Sequence, residues 1–169
     1  MPIDAVTAHS VSGVDARRPH ESKGKRILDL KLEVVVVPVS DVDRAKVFYA
    51  EKLGFNVDHD TAVTDEHRLI QLTPPGSACS IAIGTVGPSG GIVDLPPGLL
   101  RGLQLVVSDI HAARADLVER GVGVSEVQVY DGGSLRPSRE GDALDNLGFF
   151  FFSDPDGNRW AVQQISGRS

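Results

Sequence analysis

An internal repeat constrains the fold of this 169-residue chain more than any other feature of its sequence. Val39–Asp41 (VSD) returns as Val107–Asp109, and Gly54–Val57 (GFNV) returns as Gly121–Val124 (GVGV). In both copies the first motif follows an apolar, strand-like run and the second follows a segment with helical spacing of its apolar residues. Since one copy of such a unit cannot bury its apolar side alone, we expect the two copies to share a core.

Each half of the sequence predicts the order strand, helix, strand, strand, strand. β-branched runs and alternating apolar residues indicate the strands, and apolar residues at helical spacing indicate the two helices. Ser40 and Ser108 are the predicted N-caps, and Gly54 and Gly121 are the predicted helix ends. We therefore predict an α+β fold made of two βαβββ modules.

The composition on either side of the repeats predicts the domain organisation. Residues 1–28 show no sustained period and are expected to form an extended or disordered tail. Residues 29–85 form the first predicted module, and residues 101–169 form the second. Residues 86–100 are rich in Gly and Pro, so they are the predicted linker between the modules.

Four consecutive phenylalanines, Phe149–Phe152, lead into the turn Asp154–Asn158 (DPDGN) and then into the last predicted strand. Asp and Gly in such a turn favour a tight hairpin. We expect the aromatic strand to pack against the helix of its module, with all four rings in the core. The alternative is that one or two of the rings line a ligand cavity.

Composition and charge argue against several classes of function. A net charge of −6 disfavours nucleic-acid binding, which depends on Lys and Arg neutralising phosphates. No apolar run approaches the ~20 residues that a membrane span needs, and the N-terminus lacks the pattern of a secretory signal. The single cysteine, Cys79, excludes an intramolecular disulfide and suits a reducing compartment. We predict a cytoplasmic protein without a nucleic-acid or membrane partner.

The repeated unit resembles the vicinal-oxygen-chelate superfamily, which includes glyoxalase I, bleomycin-resistance proteins, fosfomycin-resistance transferases and extradiol dioxygenases. The resemblance is carried by Val37–Phe55 (VPVSDVDRAKVFYAEKLGF) and Phe152–Ile165 (FSDPDGNRWAVQQI). It spans residues 30–165, nearly the whole chain outside the tail. It implies that the strands of the two modules curl into a cup-shaped mixed sheet with the helices outside.

The resemblance also implies where a metal would bind. In members with a metal, His, Glu or Gln side chains at four equivalent strand positions hold a divalent ion, and these positions fall here at Val34, Ser80, Gly102 and Ala161. Three of the four have no side-chain lone pair, and a lone serine hydroxyl is a poor ligand for Zn, Ni, Mn or Fe. We therefore expect a cup without a metal or other cofactor.

Strand alternation from these positions indicates which side chains face the cup. Small and apolar residues leave room for a ligand, while Gln104 and Gln163 supply neutral hydrogen-bonding groups. The predicted ligand-binding residues are Val34, Val36, Ser80, Gly102, Gln104, Tyr130, Arg159, Ala161 and Gln163. The alternative for the two glutamines is that they only bond each other or the backbone.

Two histidines are candidate catalytic residues. His59 and His67 lie among acidic neighbours around the second hairpin of the first module, near the expected mouth of the cup. A carboxylate that orients an imidazole would make either residue a general base. Two alternatives stay open, namely a metal site built from the same residues and a solvated hairpin tip.

The second half carries an insertion, residues 131–146, that the first half lacks. A loop of this length is often functional, and it could fold over the cavity as a lid. Arg136 and Arg139 would then meet an anionic ligand. The alternative is a flexible, solvated loop.

Three functions are compatible with these features. The first is a glyoxalase/bleomycin-resistance-like protein that binds a small apolar or aromatic molecule in a metal-free cup. The second is a metal-independent isomerase, lyase or cyclase with a His/carboxylate pair, and the third is an atypical metalloenzyme, either a lyase or a dioxygenase. The sequence leaves open whether the protein is an enzyme, but a conventional glyoxalase I or dioxygenase is not expected. We expect a homodimer, because members of the superfamily often pair chains.

Overall fold

The computed structural model describes residues 28–62, 68–84 and 95–168. The first module contains β1 (Val34–Pro38), α1 (Val42–Lys46), β2 (Asn56–Ala62), β3 (Arg68–Thr73) and β4 (Ser80–Gly84). The second module contains β5 (Leu103–Val107), α2 (Ile110–Glu119), β6 (Gln128–Asp131), β7 (Ser134–Pro137), β8 (Gly148–Ser153) and β9 (Arg159–Gln164). Helix α1 continues directly as a π-helical segment, Val47–Lys52, and a short 3-10 helix, Ser166–Arg168, follows β9.

The strands form two separate mixed sheets. The order in the first sheet is β1-β4-β3-β2, with β1 and β4 parallel and the other neighbours antiparallel. The order in the second sheet is β5-β9-β8-β6-β7, with β5 and β9 parallel. Each sheet with its helix is one copy of the repeat, so the predicted α+β fold of two modules is confirmed. No helix in the described ranges is long and apolar enough to cross a membrane.

The helices begin one residue later than predicted, at aspartate caps. The Asp41 carboxylate accepts the backbone N–H of Arg44 at 2.9 Å, and the Asp109 carboxylate accepts those of His111 and Ala112, both at 3.0 Å. The prediction of Ser40 and Ser108 as N-caps was wrong, because the aspartate that follows each serine reaches the first-turn N–H groups instead.

The glycines that end the helical segments are where the sequence predicts them. Gly54 and Gly121 both have a positive φ, 75° and 72° respectively, which is the conformation that a helix stop of this kind requires. The chain can therefore turn sharply into the next strand in both modules.

Alternate residues of each strand form an inner face that is buried against the helices. The inner face of the first sheet includes Ile70, Leu72, Ile81 and Ile83, and that of the second sheet includes Phe150, Phe152, Trp160 and Val162. All of them belong to one apolar core, which also holds Phe48 and Tyr49 of the π-helical segment. Since this segment contacts the inner faces of both sheets, the two outer faces of one chain point away from each other.

Aromatic rings join the two modules within this core. The ring centroids of Phe48 and Phe152 lie 6.2 Å apart, and those of Tyr49 and Trp160 lie 5.9 Å apart. Phe152 stacks on Trp160 with an interplanar angle of 4°. Offset and edge-on ring pairs of this kind stabilise a core beyond the area that they bury.

The four phenylalanines of β8 divide between the two faces of the second sheet. Phe150 and Phe152 are buried in the core, at 0% and 3% exposure, whereas Phe149 and Phe151 are half-buried on the outer face. The expectation that all four rings lie in the core was therefore wrong for Phe149 and Phe151. A β-strand places successive side chains on opposite faces, so a run of four identical residues cannot bury all of them on one side.

A buried carboxylate in the turn after β8 holds the modules together. Asp154 accepts hydrogen bonds from the Tyr49 hydroxyl at 2.8 Å, the Asn158 amide at 2.7 Å, and the backbone N–H groups of Asp156 and Asn158 at 3.0 and 2.9 Å. The Tyr49 hydroxyl in turn accepts the indole N–H of Trp160 at 3.2 Å. Burial and the Asp154 charge raise the pKa of Tyr49 above its usual range, so the hydroxyl stays a donor.

Asn158 connects the same turn to the rest of the chain. Its side-chain amide donates to the Pro38 carbonyl at 2.9 Å, and its oxygen accepts the backbone N–H groups of Gly98 and Leu100 at 3.0 and 3.2 Å. A Cβ at position 98 would lie 2.1 Å from the Asp156 carbonyl oxygen, and φ there is +80°, so only glycine fits. The end of β1 and the segment before β5 are thus fixed to the second sheet.

The insertion at residues 131–146 contributes a strand instead of a lid. β7 pairs antiparallel with β6 and extends the second sheet at its edge. Arg136 is held by Asp142 in a two-pronged ion pair at 2.8 and 2.9 Å, and by Asp131 at 3.0 Å. The sequence left open whether this segment is a lid or a solvated loop, and hairpin pairing and ion pairs hold part of it in the sheet.

Tyr49→Phe should destabilise the fold by about 1–3 kcal/mol, because it leaves a buried carboxylate and a buried indole N–H each short of one partner. The matched control is Tyr130→Phe, since Tyr130 is the other tyrosine of the chain and is 48% exposed. Chemical denaturation of both variants measures the free energy of unfolding. Equal stability of Tyr49→Phe and the control would contradict the role given to this hydroxyl.

The β6–β7 hairpin should loosen in acid. Hydrogen bonds from Arg136 and from the Arg139 backbone lower the pKa of Asp142 to about 2. An aspartate pKa held below its usual value, near 3.9, stabilises the folded hairpin above pH ~4, and this stabilisation is lost as the pH falls through about 2. NMR shifts of the β7 amides between pH 6 and 1.5 report the change. Asp142→Asn is the control and should remove the transition, and a wild-type-like transition in that variant would refute the assignment.

Candidate functional site

The outer face of the second sheet is the more apolar of the two outer faces. Strand alternation and pairing place a set of residues from all five strands on this face: Gln104, Val106, Gln128, Tyr130, Leu135, Phe149, Phe151, Arg159, Ala161 and Gln163. We call this set the second outer face. It contains five of the predicted ligand-binding residues.

Aromatic and aliphatic side chains dominate the second outer face. Tyr130 and Leu135 are cross-strand neighbours and are 48% and 41% exposed. Phe151 lies opposite Ala161, whose small side chain leaves its ring open to one side. The guanidinium carbon of Arg159 lies 5.9 Å from the centroid of Phe151, within the range of a cation–π contact. The surface can accept a flat apolar molecule beside one positive charge.

Two glutamines supply the neutral polar groups of the second outer face. The Gln104 amide donates to the Gln163 side-chain oxygen at 2.5 Å, and the Gln163 amide donates to the Asn146 carbonyl at 2.7 Å. Gln163 is therefore satisfied by protein partners on both sides. Gln104, on the edge strand β5, keeps a side-chain oxygen and one N–H that bond to no other described residue.

The outer face of the first sheet is more polar. Pairing places Val34, Val36, His59, Gln71, Thr73, Ser80 and Ala82 on it, and we call this set the first outer face. At its centre the Thr73 hydroxyl bonds the Asp58 carboxylate, Thr73 and Ser80 hydroxyls lie 2.6 Å apart, and the Gln71 amide donates to Ser80 at 3.1 Å. Ser80 is 6% exposed, so this network lies at the base of the face.

Three members of this network were missed by the sequence analysis. Asp58, Gln71 and Thr73 lie on β2 and β3, whereas the predicted pocket drew its first-module residues from β1 and β4 only. Alternation along β3 would have found Gln71 and Thr73 once the pairing of Gln71 with Ala82 was known. Asp58 follows no alternation rule, because a register shift between Val57 and His59 turns it toward Thr73.

One chain brings the predicted ligand-binding residues together in two groups. Val34 pairs with Ser80 in the first sheet, and Gln104 pairs with Ala161 in the second. Gly102 lies outside the strands, exposed and with a φ of +87°, just before β5. The two groups lie on opposite sides of the helices, so a single chain does not join them into one pocket.

The four positions that the resemblance assigns to metal ligands do not carry side chains that fit a divalent metal. Val34, Gly102 and Ala161 offer no donor atom, and the Ser80 hydroxyl is already engaged by Thr73 and Gln71. Within residues 28–62, 68–84 and 95–168 there is no group of three or more His, Cys, Asp or Glu side chains that could hold a metal ion.

The two candidate catalytic histidines are only partly placed. His59 lies on β2, exposed, opposite Gln71. None of the described residues forms a hydrogen bond or ion pair with its side chain. His67 lies outside the described residues. The assignment of a general base to either histidine therefore stays a prediction.

A half-open cavity of about 200 Å³ lies on the inner side of the second sheet, and Val106 is the one residue of the two outer faces among its lining residues. It is lined by residues from both modules, among them Leu53, Phe55, Pro74, Leu105, Leu117 and Phe150. None of the predicted site residues borders it.

Comparison with known proteins agrees with this geometry. Residues 31–162 match the family model described as the Glyoxalase/Bleomycin resistance protein/Dioxygenase superfamily. None of the curated proteins matches the chain.

Several solved structures share the fold. An antibiotic binding protein from Streptomyces sp. CB03234, TnmS3, is 33% identical, with 83% of this chain and 100% of that chain covered and a TM-score of 0.61. A glyoxalase/bleomycin resistance protein from the same organism is 34% identical, with 79% and 100% covered and a TM-score of 0.58. A superfamily member from Sphaerobacter thermophilus DSM 20745 is 27% identical, with 80% and 97% covered and a TM-score of 0.60.

The family model covers most of the chain, and the two βαβββ modules have the fold of the matched structures, so this protein belongs to the Glyoxalase/Bleomycin resistance protein/Dioxygenase superfamily.

Proposed function

We propose that this protein binds a small, largely apolar or aromatic molecule without the help of a metal, as a bleomycin-resistance-like member of its superfamily. The observation that carries the proposal is the second outer face, where Phe149, Phe151 and Tyr130 stand beside small and neutral polar side chains. Apolar walls with a few placed polar groups are typical of small-molecule sites. The binding protein acts by holding its ligand, not by transforming it.

The similarity to TnmS3 supports an antibiotic-like ligand. TnmS3 is described as an antibiotic binding protein, and it matches this chain at 33% identity over 83% of its length. The proposed site needs no cofactor, because its polar groups are neutral amides and one guanidinium. A cytoplasmic location agrees with a protein that captures small molecules inside the cell.

A homodimer completes the site in this proposal. The first and second outer faces of one chain point away from each other, so each lacks a facing wall. The edge strands β1 and β5 each leave one side unpaired by any described strand. A second copy would set the first outer face of one chain against the second outer face of the other and close two equivalent cups. Such a two-fold arrangement is the commonest form of homo-oligomer.

Phe151→Ala should weaken binding of an uncharged aromatic probe, 1,5-dimethoxynaphthalene, by about 10-fold, because a stacked ring contributes beyond the area it buries. The matched control is Val118→Ala on α2, which is 49% exposed and away from both outer faces. NMR titration gives the affinity, with and without EDTA. Loss of wild-type binding in EDTA would contradict the metal-free site, and full binding by Phe151→Ala would contradict the aromatic surface.

Light scattering should give a particle of twice the 18.0 kDa chain mass. Val34→Asp on β1 and Val106→Asp on β5 should each shift the population toward monomer, because both side chains lie on the outer faces at the free edges and a buried charge is costly. Val118→Asp is the control and should remain dimeric. A wild-type monomer, or dimers unaffected by both edge variants, would refute the proposed assembly.

A further inference from the structure

Each outer face carries a chain of side-chain hydrogen bonds that begins at a group able only to accept. On the first outer face the chain runs from Asp58 through Thr73 and Ser80 to Gln71. On the second it runs from the Asn146 carbonyl through Gln163 to Gln104. An acceptor at one end dictates the direction of every bond along such a chain.

The direction on the first outer face follows step by step. An ionised carboxylate cannot donate, so the Thr73 hydroxyl donates to Asp58. The only hydroxyl hydrogen of Thr73 is already engaged in the bond to Asp58. The Ser80 hydroxyl therefore donates to Thr73, and their oxygens lie 2.6 Å apart. Ser80 can then only accept, and Gln71 must turn its amide nitrogen toward it, at 3.1 Å. The carbonyl end of Gln71 is left pointing elsewhere.

The same logic applies on the second outer face. A backbone carbonyl only accepts, so Gln163 must present its nitrogen to Asn146, at 2.7 Å. The Gln163 oxygen then faces Gln104, which donates its own nitrogen at 2.5 Å. Gln104 also keeps its carbonyl end uncommitted.

Both chains therefore end in an oriented amide whose oxygen is open. Within residues 28–62, 68–84 and 95–168, neither Gln71 Oε1 nor Gln104 Oε1 accepts a hydrogen bond. Gln71 is half-buried and Gln104 is exposed on the edge strand, so a ligand can reach both. Cooperative polarisation along each chain strengthens the terminal oxygen as an acceptor.

We propose that the ligand is an uncharged aromatic molecule with hydrogen-bond donors at its rim, such as phenolic O–H or amide N–H groups, received by Gln71 Oε1 and Gln104 Oε1. This inference rests on the proposed function and names the class of ligand for the same site. A donor matches a carbonyl oxygen, whereas a ligand carboxylate would face two acceptors. In the homodimer the two glutamines that meet in one cup come from different chains.

The test compares two probes with the same ring system, titrated into the ¹⁵N-labelled full-length protein: 1,5-dihydroxynaphthalene has two O–H donors, and 1,5-dimethoxynaphthalene has methyl groups in place of these hydrogens. Each hydrogen bond between uncharged partners favours the dihydroxy probe by roughly 2- to 10-fold, so two bonds should give an advantage of at least about fourfold. The side-chain amide signals of Gln71 and Gln104 should shift with the dihydroxy probe. Equal affinities would overturn the assigned ligand class and leave the proposed function standing.

If the proposed function is wrong, the same titration gives a result that differs from equal affinities. If neither naphthalene shifts any resonance of the two outer faces up to its solubility limit, the proposed function is wrong and the ligand class falls with it. Binding of both probes at the outer faces with a clear preference for the dihydroxy probe supports both.

Two variants distinguish the contribution of the glutamine amides to binding from that of the apolar surface. Gln71→Met with Gln104→Met keeps the side-chain length but removes the amides, so the ratio of the two probe affinities should fall to about one. Asp58→Asn keeps Gln71 but supplies a donor at the start of the first chain. The chain can then reverse and turn the Gln71 nitrogen outward, so the advantage should fall there too. A full wild-type advantage in Gln71→Met with Gln104→Met would overturn the proposal, and a reduced advantage in Asp58→Asn would support the direction assigned to the first chain.

Discussion

The buried carboxylate of Asp154 is the constraint on which the rest of this structure depends. It sits in the turn between β8 and β9, yet one of its four donors is Tyr49, from the helical segment of the other module. A buried charge is tolerated only when its hydrogen bonds are complete, so the two modules must be docked for this turn to be stable. Asn158 extends the constraint to the end of β1 and to the segment before β5. Because the docked modules bury the inner faces in a shared core, the outer faces are the ones that remain accessible.

What the outer faces present follows from that division. Each sheet buries one set of alternate residues in the core. The residues that alternate with them lie on its outer face. On the first sheet these include a serine, a threonine and a glutamine joined in one network, and on the second they include two phenylalanines, a tyrosine and two linked glutamines. The polarity of the two faces differs, so a site built from both would offer a ligand one apolar wall and one hydrogen-bonding wall.

Much of the fold could be predicted from the sequence, because the repeat, the helix-ending glycines Gly54 and Gly121 and the DPDGN turn are local signals. Strand alternation also indicated that Gln104, Ala161 and Gln163 share a face. The predicted N-caps were wrong by one residue. Ser and Asp are both good N-caps, and only the backbone geometry determines which of them caps the helix. The network of Asp58, Thr73 and Ser80 could not be predicted, because it depends on a register shift in β2 and on pairing between strands distant in sequence. The strand in the insertion was missed although its hairpin to β6 is local, because the ion pairs of Arg136 with Asp131 and Asp142 that help to hold it do not show in the strand pattern.

Alternate residues of β8 have different roles, one set in the core and the other on the outer face. Substitutions at Phe150 and Phe152 act on the core that both modules share, whereas substitutions at Phe149 and Phe151 change only a surface. In the proposed site, single substitutions at alternate positions of β8 can therefore change ligand recognition while the shared core stays unchanged. Such a strand makes new specificities of the proposed site accessible without an intervening loss of the fold.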